Sequence, residues 1–141
     1  MRAVAIDARG LRLENRGGKV GQLPWQSIAG VSVARIGDSP GIDQPGGQLV
    51  LDLLMAPTRM PEGNVVRCVR IAVADLAIPQ LQAEPSPVRK LQRLVATILK
   101  ATNATTYPSR EDCLGLRGFP VFSDLGAYDT ALLACLRLAA A

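Results

Sequence analysis

The sequence predicts an α+β fold, mainly β with helices gathered at the C-terminal end, and two observations carry that prediction. Residues 3–73 repeat short stretches of alternating apolar and polar residues, separated by turns rich in Gly, Pro and Asn. Residues 86–138 instead place apolar residues at helical spacing behind helix-start signals. A chain of 141 residues, 48% hydrophobic and 20% charged, suits one domain with a sizeable core.

The strands follow in order. Val4 and Ile6 alternate with small or polar neighbours, Ala8-Arg9-Gly10 offers a turn, and Leu11 and Leu13 alternate with Arg12 and Glu14, which predicts a β-hairpin. Asn15-Arg16-Gly17-Gly18 is a second turn, leading to a third strand over Lys19–Leu23 that Pro24 confines to an edge or a strand end. Ser27–Gly30 reads as a tight turn, Val31–Ile36 as a fourth strand, and Gly37–Gly47 as an exposed loop. The next strand has Leu49, Leu51, Leu53 and Met55 on one face and Val50, Asp52 and Leu54 on the other. After a loop over Pro57–Gly63, a long strand over Val65–Val73 points Val69, Ile71 and Val73 inward. Residues 74–85 read either as a short last strand around Leu76–Ile78 or as a connector.

Ser86-Pro87 pairs an N-cap hydroxyl with proline at the first helical position. Val88, Leu91, Val95, Ile98 and Thr102, joined by Leu94 and Leu99, then trace an amphipathic helix whose stripe must be buried. The expected core is Leu51, Leu53, Val69, Ile71, Leu91, Val95 and Ile98. Ser109 and Asp112 predict a capped turn before Gly115. Ser123-Asp124 opens a terminal helix through Leu138, with Leu125, Tyr128, Leu132 and Leu136 in register and Leu133, Cys135 and Leu138 elsewhere around the cylinder.

Several chemistries lack their residues. The chain has no histidine, and Cys68, Cys113 and Cys135 are widely spaced, so a structural zinc site and His-assisted nucleophilic or acid–base catalysis have no ligands or bases to use. Cys68 and Cys135 read as small buried hydrophobes. Glu111-Asp112 is better explained by the helix dipole than as an acid/base dyad, because neighbours on a helix diverge. Gly17-Gly18-Lys19 is not a phosphate loop, and five aromatic residues give base stacking little to work with, so nucleic acid is not an expected partner. Asp7 and Arg9 interrupt any apolar start in MRAVAIDARG, and no apolar run reaches about 18–20 residues, which predicts a cytoplasmic protein. No catalytic, cofactor-binding or metal-ligating residue is assigned, and no cofactor is expected.

The segment Leu23-Pro24-Trp25-Gln26-Ser27-Ile28-Ala29-Gly30-Val31 resembles a stretch in bacterial pleckstrin-homology-like (PH-like) and GRAM-like domains, where an aromatic residue ends a strand and a turn with Ile and Val leads into the next. The resemblance covers about residues 3–104. It implies an antiparallel β-sandwich or open barrel over residues 1–104, capped by the helix at 86–104, with residues 105–141 a C-terminal helical extension of the same domain. It also implies a scaffold for lipid binding, peptide binding or self-assembly.

A net charge of +4 permits anionic partners. Arg9, Arg12, Arg16 and Lys19 form a candidate anion-binding set in the first hairpin, with Asp7 and Glu14 among them. Arg89, Lys90, Arg93 and Lys100 make a basic helix face without the aromatic anchors of interfacial helices. The terminal helix is apolar beyond one stripe and so needs two burial partners, which makes Tyr128, Leu132, Leu133, Leu136 and Leu138 candidate interface residues. The leading expectation is a non-enzymatic binding or self-assembly module, either a homo-oligomer or a binder of another protein. Next comes a peripheral binder of anionic lipid or another anionic ligand, and last an enzyme without histidine chemistry.

Overall fold

The computed structural model describes residues 1–37, 48–61 and 63–140. Alternation in the first third folds as expected into an antiparallel meander of β1 (Arg2–Asp7), β2 (Gly10–Glu14) and β3 (Val20–Pro24), with β3 at the sheet edge. A second antiparallel meander contains β4 (Ile28–Ile36), β5 (Gln48–Met55) and β8 (Cys68–Ala72). Between its last two strands runs a short hairpin of β6 (Thr58–Met60) and β7 (Gly63–Val65). The sheets are open, and helices α1 (Pro87–Ala101), α2 (Arg110–Leu114) and α3 (Leu125–Ala140) follow. The fold is thus α+β with its helices C-terminal. No helix among the described residues is long and apolar enough to cross a membrane.

One core lies between the first sheet, the inner face of the second and α1. Ala3, Leu11 and Leu13 meet Val31, Val33, Leu51, Leu53 and Ile71, and Leu91, Leu94, Val95 and Ile98 of α1 close the space. Ser86 caps α1 as expected, its Oγ accepting the Arg89 N–H at 3.2 Å. The helix stops at Ala101 rather than continuing to 104. Thr102 turns to extended backbone, and its hydroxyl bonds the Ile98 carbonyl at 2.8 Å. Ser109 caps α2 by accepting the Asp112 N–H at 3.1 Å, and Gly115 ends it in the left-handed conformation (φ 64°), where a glycine carries no steric penalty.

Other expectations needed correction. Ser27–Gly30 is not the turn. The chain turns two residues earlier, in a 3-10 turn at Trp25–Ser27, and β4 begins at Ile28 with a bulge between Ile28 and Gly30. The Pro57–Gly63 loop contains β6, and the long strand over Val65–Val73 is broken, because residues 63–65 pair with β6 while residues 68–72 pair with β5. Val73 begins a 3-10 turn, and residues 74–85 form a connector holding a single bridge, Ala3 to Leu76. Val69 is half-buried rather than inaccessible, and Cys68 is exposed and Cys135 half-buried, so Cys113 alone is a buried thiol. The loop expected at 37–47 lies, beyond Gly37, outside the described residues.

Residues 105–141 are not purely helical. Strands β9 (Thr105–Tyr107) and β10 (Val121–Phe122) both run parallel to β4 on the edge that β5 leaves free, β9 beside Gly30–Ser32 and β10 beside Arg35–Ile36. Gly30 is required at this junction, since a Cβ there would lie 2.9 Å from the Tyr107 ring. With its β4 edge filled in this way, the second sheet offers its outer face to α3.

Candidate functional site: a polar clamp and two solvent faces

Strand alternation sends Gly30, Ser32 and Ala34 of β4 and Val50, Asp52 and Leu54 of β5 to the outer face of the second sheet. Cross-strand register then aligns Ser32, Asp52 and Arg70 in one row, while Leu54 sits opposite Cys68. Asp52 is 0% and Ser32 2% exposed, which requires partners for both. Arg70 supplies a two-pronged contact to Asp52, Nε donating to Oδ1 at 2.9 Å and Nη2 to Oδ2 at 3.0 Å. Tyr128 of α3 donates its hydroxyl to Ser32 Oγ at 2.9 Å, and Arg70 also bonds Asp129 and lies 5.2 Å over the Tyr128 ring. Tyr128 further packs at 5.2 Å on Phe122 of β10.

This polar row fastens α3 to the sheet. Around it Tyr128 and Leu132 pack on Ala34, Val50 and Leu54, with Leu136 half-buried beside them. Asp124 caps the helix by accepting the Ala127 N–H at 2.8 Å. The hydrogen bonds from Arg70 to Asp52 hold the guanidinium proton more tightly than usual, and burial pushes the Tyr128 phenol upward in pKa, so neither group titrates near neutrality. The clamp does not hold a proton ready for transfer. A small apolar cavity of about 100 Å³ remains between α3, β9 and β10, walled by Tyr107, Phe122, Tyr128, Leu132 and Cys135.

Cys68, in the neighbouring row opposite Leu54, reaches diagonally to the clamp, its thiol donating to Asp52 Oδ1 at 3.1 Å. Desolvation first, then the hydrogen bond and negative charge of Asp52, raise its pKa to about 12. A raised thiol pKa adds stability below the unfolded value and loses it as pH climbs through the folded one. At pH 8 such a thiol is ionised to roughly one part in 10,000, against about a quarter for an ordinary thiol near 8.5. Maleimide should therefore label Cys68 at least ~100-fold more slowly than free cysteine at pH 8, as read by peptide mapping. A rate equal to free cysteine would mean the thiol does not rest on Asp52.

The expected anion-binding set is not brought together. Arg9 lies in the turn between β1 and β2, whereas Arg16 and Lys19 lie in the turn at the far end of β2, about 17 Å away along five residues of strand. Arg12, between them, lies 3.9 Å from Asp7. Asp7 itself accepts the Arg9 N–H at 2.7 Å, which holds its carboxyl below the ordinary range. Of the expected interface residues, Tyr128 and Leu132 are buried in their own chain and Leu136 is half-buried there. Leu133 is exposed, and the Leu138 side chain lies outside the described residues.

The clamp escaped the sequence reading, yet it left a signal. Asp52 is the only charge in LVLDLLM, and Arg70 the only one in CVRIAV. Opposite charges, each alone in an apolar strand, point to a pair across a sheet.

No family model matches the chain, and neither a curated protein nor a solved structure matches it.

Proposed function

We propose that this protein is a non-enzymatic interaction module that pairs with a second copy of itself through the solvent face of α3. The observation that carries this reading is apolar exposure on a helix whose other face is fully engaged. Leu125 is 41% and Leu133 47% exposed, and Val121 of the adjoining β10 is 54% exposed. Arg137 is the one charged side chain after Asp129, so little repulsion opposes an approach by the same face of another copy. Two meanders followed by α1 also accord with the PH-like resemblance of residues 3–104, a scaffold suited to such roles.

The magnitude predicts weak pairing. Removing the exposed half of a leucine from water contributes about 1 kcal/mol, and a symmetric contact counts each residue twice. The sum is near the low end of the roughly 4–15 kcal/mol that association costs. Sedimentation equilibrium should show mass rising above that of the monomer only as the protein approaches millimolar concentration, and Leu125→Glu with Leu133→Glu should remain monomeric throughout. A wild-type protein monomeric at the highest concentration refutes the reading.

A further inference from the structure

Charge is unevenly distributed along this chain. Residues 85–110 contain Arg89, Lys90, Arg93, Lys100 and Arg110 and no acidic residue, so the remaining residues together are close to neutral. On α1, Arg89, Arg93, Ala96 and Lys100 fall within about 60° of one another at 100° per residue, a stripe roughly 16 Å long. All four are exposed, opposite the face that buries Leu91, Val95 and Ile98. Among the described residues the carboxylate in ion-pair contact with this stripe is Glu84, 2.9 Å from Arg93.

The stripe leads into a concavity. Lys100 is also a wall of a trough of about 560 Å³ between the C-terminal end of α1 and the 3-10 turn before β4, with Trp25, Ile28, Ala29 and Asn103 among its other walls. Trp25 is half-buried: part of its ring packs on the main core while the residue lines the trough. Arg9 sits exposed in the adjoining turn, its carbonyl accepting the Trp25 N–H at 3.0 Å.

We propose that the α1 stripe and this trough together bind an acidic protein segment, one that lays carboxylates along Arg89, Arg93 and Lys100 and places an apolar side chain beside Trp25. Charge complementarity selects an anionic occupant. The concave, Trp-walled end selects a segment with discrete side chains over a flat anionic surface, and the small residues Ala96 within the stripe and Thr97 on its flank give a membrane no apolar anchor. The site lies on a different element from the α3 face and does not depend on self-pairing.

Trp25 is the single tryptophan, so its emission reports the trough directly. The full chain is titrated with a short glutamate-rich peptide carrying one central leucine, with its lysine-rich counterpart, and with phosphatidylserine-containing vesicles. The glutamate peptide should shift Trp25 emission saturably, more weakly as salt rises from about 0.05 to about 0.5 M, whereas the lysine peptide should not. Arg89→Glu with Lys100→Glu should weaken binding at least tenfold, and Lys19→Glu, at the far end of the first sheet, should leave it unchanged. If the double variant loses its helical circular dichroism, Lys100→Gln alone should still weaken binding at least threefold. An absent response to the glutamate peptide, an equal response to the lysine peptide, or a response to vesicles alone overturns the proposal.

Discussion

Arg70→Ala is expected to destabilise the protein by about 3–5 kcal/mol, a large share of the roughly 5–15 kcal/mol that holds a domain folded. The cause is what the substitution leaves behind. Asp52 is inaccessible to solvent between Ser32 and Arg70 on the outer sheet face, and without the guanidinium its carboxylate is buried unpaired beneath α3. Losing the bond to Asp129 contributes little, because that carboxylate is more than half exposed, and Asp129→Asn should cost no more than about 1 kcal/mol. Replacing both partners together, Asp52→Leu with Arg70→Leu, removes the charge along with its counterion and should cost much less than Arg70→Ala alone. Urea unfolding of the variants measures all of these. A loss below about 1 kcal/mol for Arg70→Ala would mean that water reaches Asp52 as α3 lifts from the sheet.

Ile98→Ala should cost about 2–5 kcal/mol, the usual range for emptying part of a packed core. Ile98 is wholly inaccessible and belongs to the cluster that joins α1 to both sheets, so no flexible wall is available to fill the space. Thr97→Ala, one position along on the half-exposed flank of the same helix, removes only a bond to the Arg93 carbonyl and should cost a small fraction of that. The urea midpoint should fall steeply for the first variant and barely for the second, with the slope unchanged in both. Equal midpoints for Ile98→Ala and the wild type would mean that α1 does not close the core.

The elements legible in the sequence are those whose burial is one-sided or whose ends are capped. The first hairpin alternates because one face of the first sheet is wet, and α1 shows both its stripe and its Ser-Pro start. Strand β5 was readable on both faces, and its second apolar face, Val50 and Leu54, is the surface that receives α3. What stayed hidden was non-local. Strands β9 and β10 are three and two residues long, too short for any periodicity, and exist because β4 offers them an edge. The break between β7 and β8 is invisible in a run whose apolar character continues through it, since only the choice of pairing partner divides it. The candidate sites divide in the same way. The basic face of α1 was evident from helical spacing, whereas the separation of Arg9 from Arg16 and the trough beside Trp25 depend on where the turns are placed in space.

Completion of β4 by β9 and β10 also sets a timetable for synthesis. Ile36, the last residue of β4, precedes Thr105 of β9 by roughly 70 positions, several seconds of ribosomal elongation at ~5–20 residues per second. Throughout that interval a nascent chain carries IAGVSVARI with one hydrogen-bonding edge open and an outer face awaiting a helix not yet made. The meanders and α1 can collapse early, but the strand at the centre of the fold is sealed only as roughly the last quarter of this chain emerges.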